Sequence, residues 1–253
     1  MKLKFIAAAA LLAMTGAANA AIDNGATGNG ELFFTAWDGT SSYTRDLGLT
    51  IDAFQSQLAA PGSFSFGLAA DALFTSFLGT ADLGNLVWNI TAADSLGARR
   101  LIETFSTLPG VTRTADIIRS AVTTTQSFAG KVNLGLNGAD SAVFQAGTPG
   151  YAGTALDFGN NVGTLLNFNN TGTFASNSYA NGLNILRIDG APSGVAASTY
   201  NPYLDGGTAI RAYLGSNGNL MITAAVPEPE SYALMLAGLG LMGAIARRRR
   251  KQA

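Results

Sequence analysis

Short runs with strand character recur along the chain. They read ELFFTAW (31–37), LGLTIDAF (47–54), NLVWNITA (85–92), RRLIETFS (99–106), LNILRI (183–188), GTAIRAYLG (207–215) and NLMITAAV (219–226). Several alternate apolar with polar positions, the period of two that a half-buried strand needs to present one face to a core. Turn dipeptides punctuate them. Asn-Gly falls at 24–25, 29–30, 137–138, 181–182 and 217–218, and Asp-Gly at 38–39, 189–190 and 205–206. Such pairs supply the positive φ angles of tight turns. In residues 207–226 two alternating runs flank Ser216-Asn217-Gly218, which predicts an antiparallel hairpin turning at Asn217-Gly218.

Two stretches carry the helical period instead. In FSFGLAADALFTSFLG, residues Phe66, Ala69, Ala70, Leu73, Phe74, Phe77 and Leu78 share a face, with Gly79 placed to end the helix. In TRTADIIRSAVTTTQSF, Ala115, Ile118, Ala121 and Val122 do so, with Thr112 or Thr114 as N-cap. The run Thr123-Thr124-Thr125 works against that helix, because β-branched residues favour strands. Residues 145–181 are rich in Gly, Asn and Thr and read as loops with short strands. The fold class expected is mainly β: an antiparallel β-sandwich or jelly-roll-like domain carrying one or two helices.

The two ends differ from this middle. Lys2 and Lys4, an apolar run from Phe5 to Met14, and small residues at Ala18 and Ala20 form a secretory signal peptide over 1–20, cleaved by signal peptidase after Ala20. The exported domain then spans 21–225. Between Ala21 and Val226, eight Lys and Arg face fourteen Asp and Glu, so this part is six charges negative although the whole chain is near neutral. Nothing in it has the basic footprint of a nucleic-acid partner. The chain has neither cysteine nor histidine. An exported domain without Cys has no disulfides and depends on its core. Without His, Ser-His-Asp and Cys-His catalysis is excluded, and zinc and copper lose their commonest ligands. No metal or cofactor is expected.

The remaining chemistry is thin. Glu31 and Glu103 are the glutamates of the domain, and a glycosidase would need two carboxylates facing one cleft. Solvated carboxylates on turns and outward strand faces are the plainer reading of the domain's acids. DGTSSYTRD (38–46) lacks calcium-loop spacing. Trp37 and Trp88, with Tyr43, Tyr200 and Tyr203, could build a sugar-stacking platform, although both tryptophans sit in apolar runs that suit a core. Asn89-Ile90-Thr91 and Asn169-Asn170-Thr171 match the N-glycosylation pattern, which means little in a bacterial chain.

The tail is more specific. After Pro227-Glu228-Pro229, residues 232–246 are apolar, about 22 Å long as a helix against about 30 Å of hydrocarbon. Arg247, Arg248, Arg249, Arg250 and Lys251 follow and would stay in the cytoplasm by the positive-inside rule. This arrangement over 226–251 resembles the PEP-CTERM sorting signal of Gram-negative bacteria, a tail also labelled an ice-binding-protein C-terminal motif. The resemblance implies export, a transient single transmembrane helix, and processing by exosortase, an integral-membrane cysteine transpeptidase. It also implies a final place at the cell surface or in the extracellular matrix. Hosts of such proteins make extracellular polysaccharide, biofilm or floc. The expected function is therefore a non-enzymatic surface component associated with extracellular polysaccharide. A carbohydrate-binding module and a His-free carboxylate glycosidase are the alternatives.

Overall fold

The computed structural model describes residues 21–223 apart from 59–63, 96, 98, 154–157, 167–168, 175–181 and 206. The signal peptide, Ala18 and Ala20, the Pro227-Glu228-Pro229 motif, the apolar segment 232–246 and the basic cluster 247–251 lie outside the described residues. Among those described, no helix is long and apolar enough to cross a membrane.

The domain is mainly β and antiparallel, as the alternating runs predict. All its described strands but two join one large sheet. The path begins with β3 (Phe64–Gly67), β13 (Asn219–Thr223), β12 (Arg211–Leu214), β8 (Leu183–Asp189) and β5 (Arg100–Phe105). It continues through β4 (Val87–Ala93), β1 (Glu31–Trp37) and β2 (Ser41–Thr50) to β6 (Ser141–Gln145). The short strands β7 (Gly172–Thr173) and β9 (Thr199–Pro202) pair with β4 and β8, and β10 (Leu204–Asp205) pairs with β11 (Thr208–Ala209).

The sheet buries both faces. Leu32, Phe34, Tyr43, Trp88, Ile90, Ile102, Ile185, Leu214 and Ile222 line one core. Phe33, Trp37, Leu101, Phe105, Leu186 and Ile188 line the other. Strand β1 shows the consequence, since all seven of its residues are buried. A strand covered on both sides loses the polar alternation that an exposed face would impose.

Among the described residues four helices cover the sheet, where the sequence predicts one or two. Helices α1 (Ile51–Leu58) and α2 (Ala72–Thr80) pack on the first core through Ile51, Phe54, Phe74 and Phe77. Helices α3 (Ala115–Leu136) and α4 (Phe158–Leu166) pack on the second. Strand β2 gives way to α1 where the sequence predicts strand to Phe54. The Asn29 side chain accepts the Asp52 amide (2.9 Å) and Thr50 Oγ1 that of Ala53 (3.3 Å), so a remote cap starts the helix. Helix α2 begins later than its periodicity predicts, because Phe64–Gly67 pairs with β13 first. Helix α3 runs through the three threonines and ends with Asn137 in the left-handed conformation. Helix α4 falls where the sequence predicts loops, yet Phe158, Val162 and Leu166 are buried at a spacing of four. Gly159 lies against the Trp37 indole, where a Cβ would come within 2.3 Å of the ring.

The predicted hairpin is present. Strands β12 and β13 pair from Arg211↔Thr223 to Leu214↔Leu220 around a turn in which Gly218 has φ 75°.

The sheet curls until α2 closes the seam between its edges. Strand β3 is one edge and β6 the other, and a short 3-10 turn (Leu68–Ala70) leads from β3 to Asp71. The Asp71 carboxylate accepts hydrogen bonds from Tyr43 Oη on β2 (2.7 Å) and Ser141 Oγ on β6 (2.6 Å). Its other oxygen caps α2 through the Leu73 amide (2.8 Å), and Arg45 lies 3.4 Å away. Behind this latch the Tyr43 ring packs on Phe74 (4.9 Å) and Phe77 (6.1 Å). Strand directions also fix the ends. Following the antiparallel pairs from β1 through β4, β5, β8 and β12 to β13, β1 begins and β13 finishes at the same end of the sheet.

Candidate functional site

The aromatic platform considered from sequence does not form. Trp88 and Tyr43 are fully buried and Trp37 is 3% exposed, so both tryptophans are core residues, split between the two faces. Trp88 Nε1 donates to the Thr173 carbonyl (3.2 Å), which satisfies its one polar atom. Tyr200 and Tyr203 are half-buried at separate places. Tyr200 Oη accepts the Arg113 amide (3.1 Å), while Tyr203 packs edge-on against Phe54 (5.5 Å).

The glutamates are not brought together. Phe33 on β1 is in register with Thr91 on β4, and Thr91 with Glu103 on β5. Glu31 is therefore two strands and two residues from Glu103, on the order of 12 Å between Cα atoms. Glu103 is also completely buried, so the two carboxyls do not flank an open cleft of the kind a glycosidase needs. Glu31 Oε2 accepts the Asp23 amide (2.8 Å) and steadies the N-terminal segment.

Glu103 corrects the solvated reading of the acids, because it is completely buried. Its Oε2 accepts from Thr91 Oγ1 (2.7 Å), and its Oε1 from the side-chain amides of Asn89 and Asn170 (3.3 Å each). Burial pushes this carboxyl well above its ordinary range, against the opposing pull of those hydrogen bonds. Buried Asn89 also cannot accept a glycan, since its strand is interior. Sequence gives a faint signal for this site: a glutamate inside the apolar run RRLIETFS, facing Asn and Thr of a neighbouring strand.

Several other acids have structural partners. Asp38 Oδ1 accepts from the amides of Thr40 and Ser41 (2.8 Å each), and its Oδ2 from the Asp82 amide (2.9 Å), so it ties two turns. Asp46 is pushed up to about 6 by burial, with Glu31 and Asp140 nearby. Arg100 bridges Asp52 and Asp94, and Arg187 pairs with Asp189, which also accepts from Asn201 (2.9 Å). Among the described residues no three acids converge where a metal could be held.

The solvent-facing clefts among the described residues include two of note. One, about 330 Å³, is lined by residues 107–111, Arg113 and Leu166. The Arg113 Nε donates to the Leu166 carbonyl (2.9 Å) at its floor. The other, about 270 Å³, lies between Gly97, Arg99, Arg119 and residues 190–192.

No curated protein and no solved structure matches the chain. The described domain thus offers a buried acid and two clefts. The informative match falls beyond it, on the tail: residues 225–251 match the PEP-CTERM protein-sorting motif, so the chain carries the signal of an exported surface protein sorted by exosortase.

Proposed function

We propose that the protein is a non-catalytic component of the extracellular matrix. It is held briefly at the membrane by residues 232–246, processed by exosortase at the tail, and then associates with extracellular polysaccharide. The sorting motif at 225–251 carries this reading. The architecture is compatible with it. Strand β13 ends at Thr223, so three intervening residues let Pro227 lie at most about 14 Å from the domain. The N-terminal side leaves the same end of the sheet. The folded domain therefore suits a short tether with both ends turned towards the membrane. The buried tryptophans and the completely buried Glu103 favour this reading over a tryptophan-platform binding module and over a carboxylate glycosidase.

Mass spectrometry of the surface-associated protein tests it. In cells with active exosortase the mature chain should lack the residues from Tyr232 onward. Replacing Pro227, Glu228 and Pro229 by alanine should retain them. An intact C-terminus through Ala253, unchanged by those substitutions, would sink the sorting step.

A further inference from the structure

The structure gives most basic side chains of the domain an internal partner. Arg45, Arg100, Arg119 and Arg187 each meet an aspartate, and Arg113 donates to a backbone carbonyl. Arg99 meets no carboxylate within ion-pair distance among the described residues. Its backbone is also unusual. With φ 54° it is left-handed, and among the described residues the other non-glycine residues in that region are Asn29 and Asn137. A long side chain is disfavoured there, whereas asparagine tolerates it. The Arg99 carbonyl accepts the Gly190 amide (3.4 Å), which joins the loop before β5 to the loop after β8. The chain thus holds a guanidinium, in a costly conformation, where the fold gives it no counter-charge.

Across the cleft stands Arg119. Its Nη1 donates to Asp116 Oδ1 (2.9 Å) and its Nη2 to the Pro192 carbonyl (3.3 Å). These two bonds fix the plane of the group. A guanidinium has five N–H donors, so three remain for a ligand. Gly97 and Gly190 line the cleft without side chains, which lets a ring approach the backbone.

We infer that this Arg99–Arg119 cleft binds the carboxylate of an acidic sugar residue in a polysaccharide. Both arginines line this opening, and a guanidinium matches the planar, two-oxygen geometry of a carboxylate. About 270 Å³ is smaller than most pockets for drug-sized ligands, so the cleft takes one charged residue of a chain rather than engulfing several. The domain is six charges negative, so a polyanion is attracted only where cations come together, as they do here. The identity of the ligand as a glycan rests on the polysaccharide association proposed above. The same donors would also accept free sulfate or phosphate, and the test separates these sources.

Mature protein from exosortase-active cells is titrated calorimetrically with oligogalacturonate, neutral dextran, inorganic sulfate and inorganic phosphate. Oligogalacturonate should bind, more weakly as salt rises, and dextran should not. Arg99→Ala should weaken that binding about tenfold or more, the loss expected for a charge-assisted pair. Arg99→Lys, which keeps the charge without the fork, should recover it only in part. The urea midpoint of Arg99→Ala should not fall, since the residue has no internal ion pair to lose. Undiminished oligogalacturonate binding by Arg99→Ala overturns the cleft while leaving polysaccharide association in place. Binding of sulfate or phosphate without oligogalacturonate overturns the acidic sugar. Binding of none of the anions overturns the site, and correct tail processing in the same preparation shows that the sorting step stands regardless.

Discussion

Replacing Asp71 by alanine should open the seam of the curled sheet. The carboxylate accepts from Ser141 on the opposite edge strand and Tyr43 on the strand beside it, and caps α2, so three kinds of contact go at once. Loss of the cap costs about 1 kcal/mol. Each hydroxyl bond to a charged acceptor contributes about 1.5 to 3 kcal/mol. Arg45, at 3.4 Å and partly exposed, adds at most a few tenths to about 1 kcal/mol. Neighbouring losses are not additive, and water will reach part of the gap, so a net loss of about 3 to 4 kcal/mol is expected. Trp37 and Trp88 are buried and report unfolding by fluorescence during urea denaturation. For a domain of this size such a loss lowers Tm by roughly 6 to 16 °C. Asp71→Asn should cost less, because its amide oxygen still caps α2 and only the two hydroxyl bonds are lost, its NH2 accepting from neither. Burial raises the Asp71 carboxyl, but bonds from Ser141, Tyr43 and the Leu73 and Phe74 amides outweigh it and hold it below the usual aspartate value. Its contribution is therefore present above that value and lost as pH falls through the lowered one, and Asp71→Ala should flatten the acid limb. An Asp71→Ala protein within about 0.5 kcal/mol of wild type would refute the latch, as would an unchanged acid limb.

Glu103→Gln should flatten the alkaline side instead. The folded-state value of Glu103 is raised, so its contribution is full below the ordinary glutamate range and is lost as pH rises through the raised one. Urea midpoints at mildly acidic and alkaline pH should then converge in the variant, and equal slopes in both proteins would count against a buried acid. Gly218→Ala should destabilise by about 1 to 2 kcal/mol, because φ is 75° and the new Cβ would come 3.2 Å from that of Ala69; an unchanged thermal midpoint would contradict it. Trp88→Ala should cost about 3 to 5 kcal/mol, with sugar affinity unaltered in whatever protein folds. Selective loss of glycan binding with stability intact would restore the aromatic platform.

Local chemistry made part of this protein readable in one dimension. The hairpin at Asn217-Gly218 was legible because a positive φ and two alternating runs are properties of neighbouring residues. The sorting tail was legible for the same reason, since its proline motif, apolar segment and basic cluster act in sequence order. Helix α4 was missed because its glycines and asparagines speak against a helix, and the burial of Phe158, Val162 and Leu166 overrules them. The start of α1 depends on Asn29, twenty-three residues away, which no local window contains. The site residues divide in the same way. That Trp37 and Trp88 face opposite cores follows from β1 and β4 being interior strands. The burial of Glu103 beneath Asn170, and the meeting of Arg99 with Arg119, come from pairing order and from a loop–helix approach. Sequence decided which elements could form and where the chain is sent. Only the tertiary structure decided which polar groups were shut inside and which two arginines came to share a cleft, because desolvation and ion pairing depend on neighbours in space.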